Sequence, residues 1–454
     1  MNSKHFTKNA AVGAVLLTVY LSSVQAHTAT EEDNFGLPAL LEGDYATGNW
    51  FARRDGLEVM GIGFFGSYTV DVWGNVSGGE KRGAVYTGLL DFGVTLDLES
   101  LMGWPGASIH NSWLWLSGQD PSETLLGGDF FAVSNIAGLN TFRMFELWFQ
   151  QTLLDDAVSL RLGQLAADEE FAISEYAELF LSGTFGFPLA LTESFPNGGP
   201  QYPLATPGIR WELNPGEWFT FRSAAFQGNP FAEDVNRHGF RYRLDGSVGV
   251  LFLNEADFRW EQIAATGLPG NFKAGAWFHT ANFTDPGEEE IARRGNTGFY
   301  FILDQALYRP ASRRDGKSNF QSGKNMAPPV SDPGEESTMG LGAFTRLAFE
   351  PADRNEISFY VDAGLVYQGL LPGRPNDSLG FAMGYGKLSP GAVNALREEG
   401  AFNPGYSMVL EATYQVQVTP WFVVQPDLQY IIRPGGTGDF GNALVLGIRS
   451  TVEF

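Results

Sequence analysis

The chain has 454 residues, 52 of them acidic and 29 Lys or Arg, for a formal net charge of −23 with histidine neutral. That balance argues against nucleic acid as a partner, and the absence of cysteine excludes a disulfide framework and a thiol nucleophile. Beyond the first 26 residues no run of about 18 apolar residues occurs, which excludes membrane-spanning helices.

The N-terminus reads as a secretory signal peptide covering residues 1–26. Lys4 and Lys8 precede an apolar stretch, Ala10 to Leu21, and Ser22 to Ala26 offers small residues at Val24 and Ala26 for cleavage. A second possible cleavage point lies at Ala29. Loss of Lys4 and Lys8 moves the charge from −23 to −25 and leaves a mature chain of 428 residues. Residues 27–57 are expected to form a periplasmic segment or a plug. Nothing in Gly43 to Trp50 assigns that stretch a role.

From residue 58 onward short alternating segments recur: 58–72, 85–99, 107–117, 142–153, 157–164, 206–213, 217–226, 246–258, 271–283, 297–308, 338–349, 356–367, 378–386, 406–418, 421–433 and 442–454. Alternation with period two is the signature of a strand with one apolar and one polar face. In 271–283, Phe272, Ala274, Ala276 and Phe278 oppose Lys273, Gly275, Trp277 and His279. In 406–418, Met408, Leu410, Ala412 and Tyr414 oppose Glu411, Thr413 and Gln415. Aromatics gather at segment ends, as at Phe359, Tyr367, Trp421, Phe422 and Phe454, which fits girdles at two membrane interfaces.

The connectors divide into tight ones (155–156, 214–216, 350–353, 419–420) and long ones (118–141, 165–205, 309–337, 387–405). Short turns at one end and long loops at the other are the outer-membrane barrel pattern. A water-soluble sandwich also alternates, but its outer faces are usually rich in Lys and Glu. These polar faces carry Gln, Thr, Asp, Arg, Trp and His. Closure also removes the edges that an open sheet of this size would leave. The fold expected is all-β: a 16-stranded antiparallel transmembrane barrel (58–454) with long extracellular loops.

Several stretches resemble the carbohydrate-selective porin family of Gram-negative outer membranes. They are Asn75 to Gly83 with Leu89 to Leu98, then Leu160 to Phe171 and Phe180 to Gly186. Lys273 to His279, Asp304-Gln305, Gln425 to Ile431 and Pro434 to Gly436 follow in the family's order. The likeness covers essentially the whole mature chain. It departs at Gly43-Asp-Tyr-Ala-Thr-Gly-Asn-Trp50, where the family more often has Trp directly after Gly-Asp. The resemblance implies a sixteen-stranded barrel that passes sugars, such as glucose, by facilitated diffusion into the periplasm.

A sugar channel must exchange water hydrogen bonds for wall hydrogen bonds and stack the apolar face of a pyranose on an aromatic ring. Strand parity places Arg161, Arg222, Lys273, Arg346, Glu411 and Asp427 on the lumen side, with Trp277 as the leading stacking platform and His279 on the same face. The long segment 165–205 carries Asp168, Glu169 and Glu170 and many aromatics. It either folds into the barrel and narrows the pore or caps it from outside. His279 reads as a hydrogen-bonded wall residue rather than a metal ligand, and Asp285 to Glu290 as a solvated loop, with a calcium site as the alternative disfavoured by the absence of regular EF-hand spacing. No metal and no cofactor are expected.

Enzyme signatures are missing: there is no Gly-x-Ser-x-Gly, no phosphate-cradling loop and no His-Glu-x-x-His. The expected function is a passive sugar porin of the bacterial outer membrane, embedded in its lipid and working as a monomer or homotrimer. The alternatives are a general or cation-preferring porin, and a structural or adhesive barrel. The chain ends Val445 to Phe454 on an alternating segment whose last residue is aromatic. That ending fits a closing strand and an assembly signal at Phe454 for the barrel-assembly machinery, with Arg449 and Glu453 on the wet face.

Overall fold

The computed structural model describes residues 43–50, 53–261, 267–310 and 339–454. The expected signal peptide and the rest of 1–42 lie outside them, as does most of 309–337. Alternation becomes strand at all sixteen expected places. The strands are β1 (Ile62–Ser77), β2 (Gly83–Asp97), β3 (Ala107–Gly118), β4 (Thr141–Leu153), β5 (Val158–Leu165), β6 (Thr206–Gly216), β7 (Phe219–Gln227) and β8 (Val250–Trp260). The second half comprises β9 (Gly270–Asp285), β10 (Glu288–Tyr308), β11 (Gly340–Phe349), β12 (Ile357–Gln368), β13 (Ser378–Leu388), β14 (Tyr406–Thr419), β15 (Phe422–Ile432) and β16 (Ala443–Glu453). Each pairs antiparallel with its sequence neighbours, and β16 pairs back on β1 to close the barrel.

Closure fixes which row of each strand faces inward. On β5, Leu160 and Leu162 are 41% and 56% exposed, whereas Ser159 and Arg161, which alternate with them, are buried. The same inversion recurs around the wall: Phe64, Tyr68, Phe92, Ile209, Phe252, Phe278, Phe299, Leu428 and Ile448 are all outward and exposed. A belt of this kind is lipid-facing rather than solvated. Among the described residues no helix is long and apolar enough to cross a membrane.

In an antiparallel meander, successive connections fall at opposite ends, whatever their length. Segments 154–157, 217–218 and 420–421 therefore share one end with the β10–β11 connector, which includes 309–337. That corrects the expected placing of every long connector at the other end, where 350–356 and the β9–β10 turn are short. Loop length is weakly constrained because each doubling adds only about 0.6 kcal/mol of closure entropy. A second correction concerns 285–290. Pro286-Gly287 turns the chain tightly and Glu288 already belongs to β10, with Asp285 accepting the Gly287 N–H at 3.0 Å and pairing with Arg293 at 2.8 Å.

The apolar core lies inside the barrel. Segment 166–205 enters the lumen, where Phe171, Phe180, Phe185, Phe187, Leu189, Leu191 and Phe195 are buried against wall residues that include Trp277, Tyr300, Phe344 and Tyr360. Phe180 and Phe185 pack on Phe344, and Phe195 meets Trp277 edge to face at 4.9 Å. Burying an aromatic side chain of this size contributes roughly 1.5–3 kcal/mol, so the loop is held by its own greasy residues. Segment 119–140 enters as well and brings Phe131 and Val133 to the same cluster.

Candidate functional site in the barrel lumen

The structure sorts the lumen residues expected from sequence into two groups. One group anchors the inward loop. Lys273 Nζ donates to the Ile173 carbonyl at 2.8 Å. Arg346 pairs with Asp362 and also donates to the carbonyls of Ala172 and Thr184. Glu411 accepts the N–H groups of Leu181 and Ser182 at 2.6 and 3.0 Å. Asp427, buried, lies diagonal to Glu411 across the β14–β15 pairing. Trp277 is on the lumen side as expected, but it is 1% exposed beneath Phe195, so its face is not presented to a passing solute. Gly298 opposes it in the β9–β10 register, and the indole lies where a Cβ at that glycine would sit.

His279 is a wall residue. Its Nε2 lies 2.8 Å from the Gly228 carbonyl and its Nδ1 3.1 Å from the Ala281 N–H, which assigns the proton to Nε2. No cluster of three or more His, Cys, Asp or Glu suited to a metal occurs among the described residues.

The second group forms a charged surface on β5, β6 and β7. Arg161 and Arg210 stand directly opposite each other in the β5–β6 register, and Glu212 opposes Arg222 in β6–β7. Two arginines face to face repel. Glu170, carried by the loop, relieves this: it takes Arg210 in a two-point contact at 2.6 and 2.7 Å and lies 3.3 Å from Arg161. Gln150 Oε1 accepts from both guanidiniums, at 3.1 Å from Arg161 and 3.2 Å from Arg210. Arg222 pairs with Glu212 and lies 3.7 Å from Glu255.

Next to these charges runs an aromatic row drawn from successive strands. Phe65 stacks on His110 at 5.3 Å, His110 on Trp148 at 4.8 Å, and the Arg161 guanidinium lies 3.9 Å over Trp148. Gly93 makes the first step possible, because a Cβ there would meet the Phe65 ring at 2.5 Å. Glu146 accepts the Trp148 indole N–H at 3.2 Å, and Thr95 hydrogen-bonds His110 Nδ1 at 2.9 Å. His110, Trp148, Glu170 and Glu212 keep partial exposure.

Sequence reading missed Trp148, His110 and Arg210 as parts of this site. Arg210 was recoverable, since it alternates with exposed Ile209 and Trp211 on β6. Trp148 was not. A β-bulge in β4 sets both Phe145 and Glu146 opposite Ser112, and that extra residue flips the parity of everything after it.

The loop carboxyls belong to no spanning strand and sit in unequal fields. Burial pushes Asp168 up to about 7, against the hydrogen bond it accepts from the Tyr202 N–H at 2.9 Å and with Glu146 adding to the rise. Burial also raises Glu169, helped by Glu146, Asp168 and Asp91. At Glu170 burial acts in the same direction but is outweighed by Arg161 and Arg210, which hold it at about 2. The lumen therefore offers a permanent ion-pair patch beside one carboxyl, Asp168, that titrates near neutrality.

Residues 81–454 match the family model described as carbohydrate-selective porin, OprB family. The chain is 25% identical over 435 residues to Porin B of Pseudomonas aeruginosa, covering 90% of each, and 23% identical to a putative porin, QuiX, of Acinetobacter baylyi, covering 90% of this chain and 92% of that one. Among solved structures it is similar to OprB of Pseudomonas putida at high pH, with a TM-score of 0.77, 24% identity, and coverage of 91% of this chain and 99% of that one. Closed sixteen-strand architecture, an apolar outer belt, a polar lumen and a family match over most of the length converge: the chain belongs to the carbohydrate-selective porin family and is a sugar-selective porin of the outer membrane.

Proposed function

We propose that this porin carries monosaccharide-sized sugars, such as glucose, passively into the periplasm through a constriction between the inward loop and β3–β7. The observation that carries this reading is the row Phe65, His110, Trp148 and Arg161 running beside the Arg161–Glu170–Arg210 and Arg222–Glu212 pairs. A pyranose has an apolar ring face and a rim of hydroxyls. The aromatic faces suit the first, and guanidinium and carboxylate groups suit the second. Because these charges are already paired with one another, a hydroxyl exchanges one partner for another and leaves again without stranding a charge.

Supporting roles follow from the same reading. Residues 1–26 direct secretion and are removed, 27–57 stay on the periplasmic side, and the barrel is inserted by the assembly machinery as a monomer or homotrimer. The test is liposome swelling with glucose, a disaccharide and a size-matched amino acid. Glucose is expected to enter fastest, and Trp148→Ala or Arg161→Ala to slow it by roughly three- to tenfold, the value of one aromatic–cation contact. Equal rates for glucose and the amino acid would overturn sugar preference and favour a general porin. No swelling and no conductance would favour an adhesive barrel.

A further inference from the structure

Segment 236–244, Asn-Arg-His-Gly-Phe-Arg-Tyr-Arg-Leu, belongs to the β7–β8 connector at the long-loop end, yet it lies along the outside of the wall. The Asn236 and Arg237 carbonyls accept from Arg143 and Thr141 at 3.1 and 2.8 Å, and the His238 carbonyl accepts the Met144 N–H at 3.2 Å. Tyr242 then donates its hydroxyl at 2.6 Å to Gln164, a polar side chain on the outward row of β5. The segment is a fixed strap rather than a loose loop.

Beneath the strap is an open groove of about 530 Å³, lined by Leu147, Leu162, Ile209, Ala225, Tyr242 and Leu244 with a few neighbours. Its size falls within the ~300–1,000 Å³ of ordinary ligand pockets. Leu162 and Ile209 are the sequence neighbours of Arg161 and Arg210, whose side chains face the lumen, so the groove opens to the lipid side.

The strap alternates chemistry. Tyr242 and Leu244 line the groove and Phe240 packs on outward Trp113 at 6.0 Å, while Arg241 and Arg243 fall between them and Arg237 precedes them. Three arginines within seven residues are a marked concentration in a chain of net charge −23. Arg237 donates to the Asn140 carbonyl at 3.0 Å and Arg241 lies over the Phe231 ring at 5.1 Å. The ion pairs among the described residues leave all three out. The acidic residues nearest in sequence are Asp234 and Asp245, both exposed.

We propose that strap and groove form a seat for one phosphorylated, acylated lipid of the outer leaflet, its chain in the groove and its phosphate on the arginines. Charge complementarity selects this occupant. A guanidinium offers a fork of N–H donors that fits phosphate in two-point contacts, and the apolar floor suits a hydrocarbon chain where a sugar would find no partner. A second copy docked on this face through a two-fold axis would bring a like-charged arginine strap to the same place. The seat lies outside the channel and does not depend on which solute the channel passes.

The test uses the folded, full-length mature porin in a non-ionic detergent, mixed with lipid A and re-purified, with bound lipid counted by native mass spectrometry. Lipid A is expected to be retained, phosphatidylcholine is not, and excess inorganic phosphate fails to displace it. The triple variant Arg237→Ala, Arg241→Ala, Arg243→Ala should lower affinity on the order of a hundredfold, since each arginine at an anionic lipid surface carries roughly a fivefold step. Leu244→Ser should weaken retention with the charges intact, and glucose flux should be unchanged in both variants. Rising salt provides a measurement on the unaltered protein, and retention must fall with ionic strength. Equal retention of lipid A by the triple variant, salt-independent retention, or equal retention of phosphatidylcholine overturns the proposal, as does a lipid-free dimer that the triple variant abolishes.

Discussion

Arg449 on the last strand makes two hydrogen bonds of 2.7 Å to Asp71 on the first, the two residues standing opposite each other in the β1–β16 register. Asp71 is fully buried and also accepts the Ser134 hydroxyl at 2.6 Å, while Arg449 reaches Asn135 at 2.7 Å. The seam is therefore locked by a buried pair that also holds segment 119–140. Asp71→Asn leaves Arg449 without its carboxylate, and breaking a buried pair from one side costs roughly 3–5 kcal/mol. Urea unfolding followed by tryptophan fluorescence should show a lower midpoint. Asp71→Leu combined with Arg449→Met should be less destabilised than either single change, and a double variant as poor as the sum of the singles would refute this account of the seam.

Glu411 holds two backbone N–H groups of the inward loop, and Gln425 donates to the Leu179 carbonyl at 2.7 Å. Deleting 172–200 removes the buried phenylalanines together with these anchors. Single-channel conductance should rise severalfold if the loop narrows the pore. Glu411→Gln, which turns one acceptor into a donor facing an N–H, should give a smaller rise with noisier open states. Unchanged conductance of the deletion would remove the constriction role.

Asp168, with its pKa pushed up to about 7, is neutral at pH 5 and anionic at pH 9, whereas Glu170, held at about 2, is charged at both. Deprotonation adds negative charge near the pore as pH rises. The cation-over-anion permeability ratio should therefore increase between pH 5 and 9, read as a shift in reversal potential across a salt gradient. Asp168→Asn should flatten the rise. A ratio that falls with pH would reverse the sign and exclude these carboxyls as its source.

Phe454 donates its N–H to the Gly66 carbonyl at 2.9 Å, beside the first strand. If it serves as an address for assembly, Phe454→Ala should lower the amount of folded porin in the outer membrane severalfold while leaving conductance per pore unchanged. Normal yield would sink the assembly role, and altered conductance would point to a structural one.

The legible part of this protein was its wall. Alternation in segments such as 271–283 and 406–418 assigned Lys273 and Glu411 to the lumen, and the structure places both there. The turn of the last strand toward the first was legible from the row ending at Phe454, and Arg449 does face inward, although Asp71 consumes it. What parity missed was Trp148, because one inserted residue in β4 moved it to the other face.

Sequence by itself determined the barrel: strand number, inward and outward rows, and the family, because a period of two is a local property that each segment carries alone. Only tertiary structure decided how the lumen is used. The pairing of Glu170 with Arg161 and Arg210, the covering of Trp277 by Phe195, and the stack from Phe65 to Arg161 join residues of different strands and of the inward loop. Those contacts depend on barrel closure and on the path of a loop whose apolar side chains find cover inside. No local pattern encodes where such a loop comes to rest.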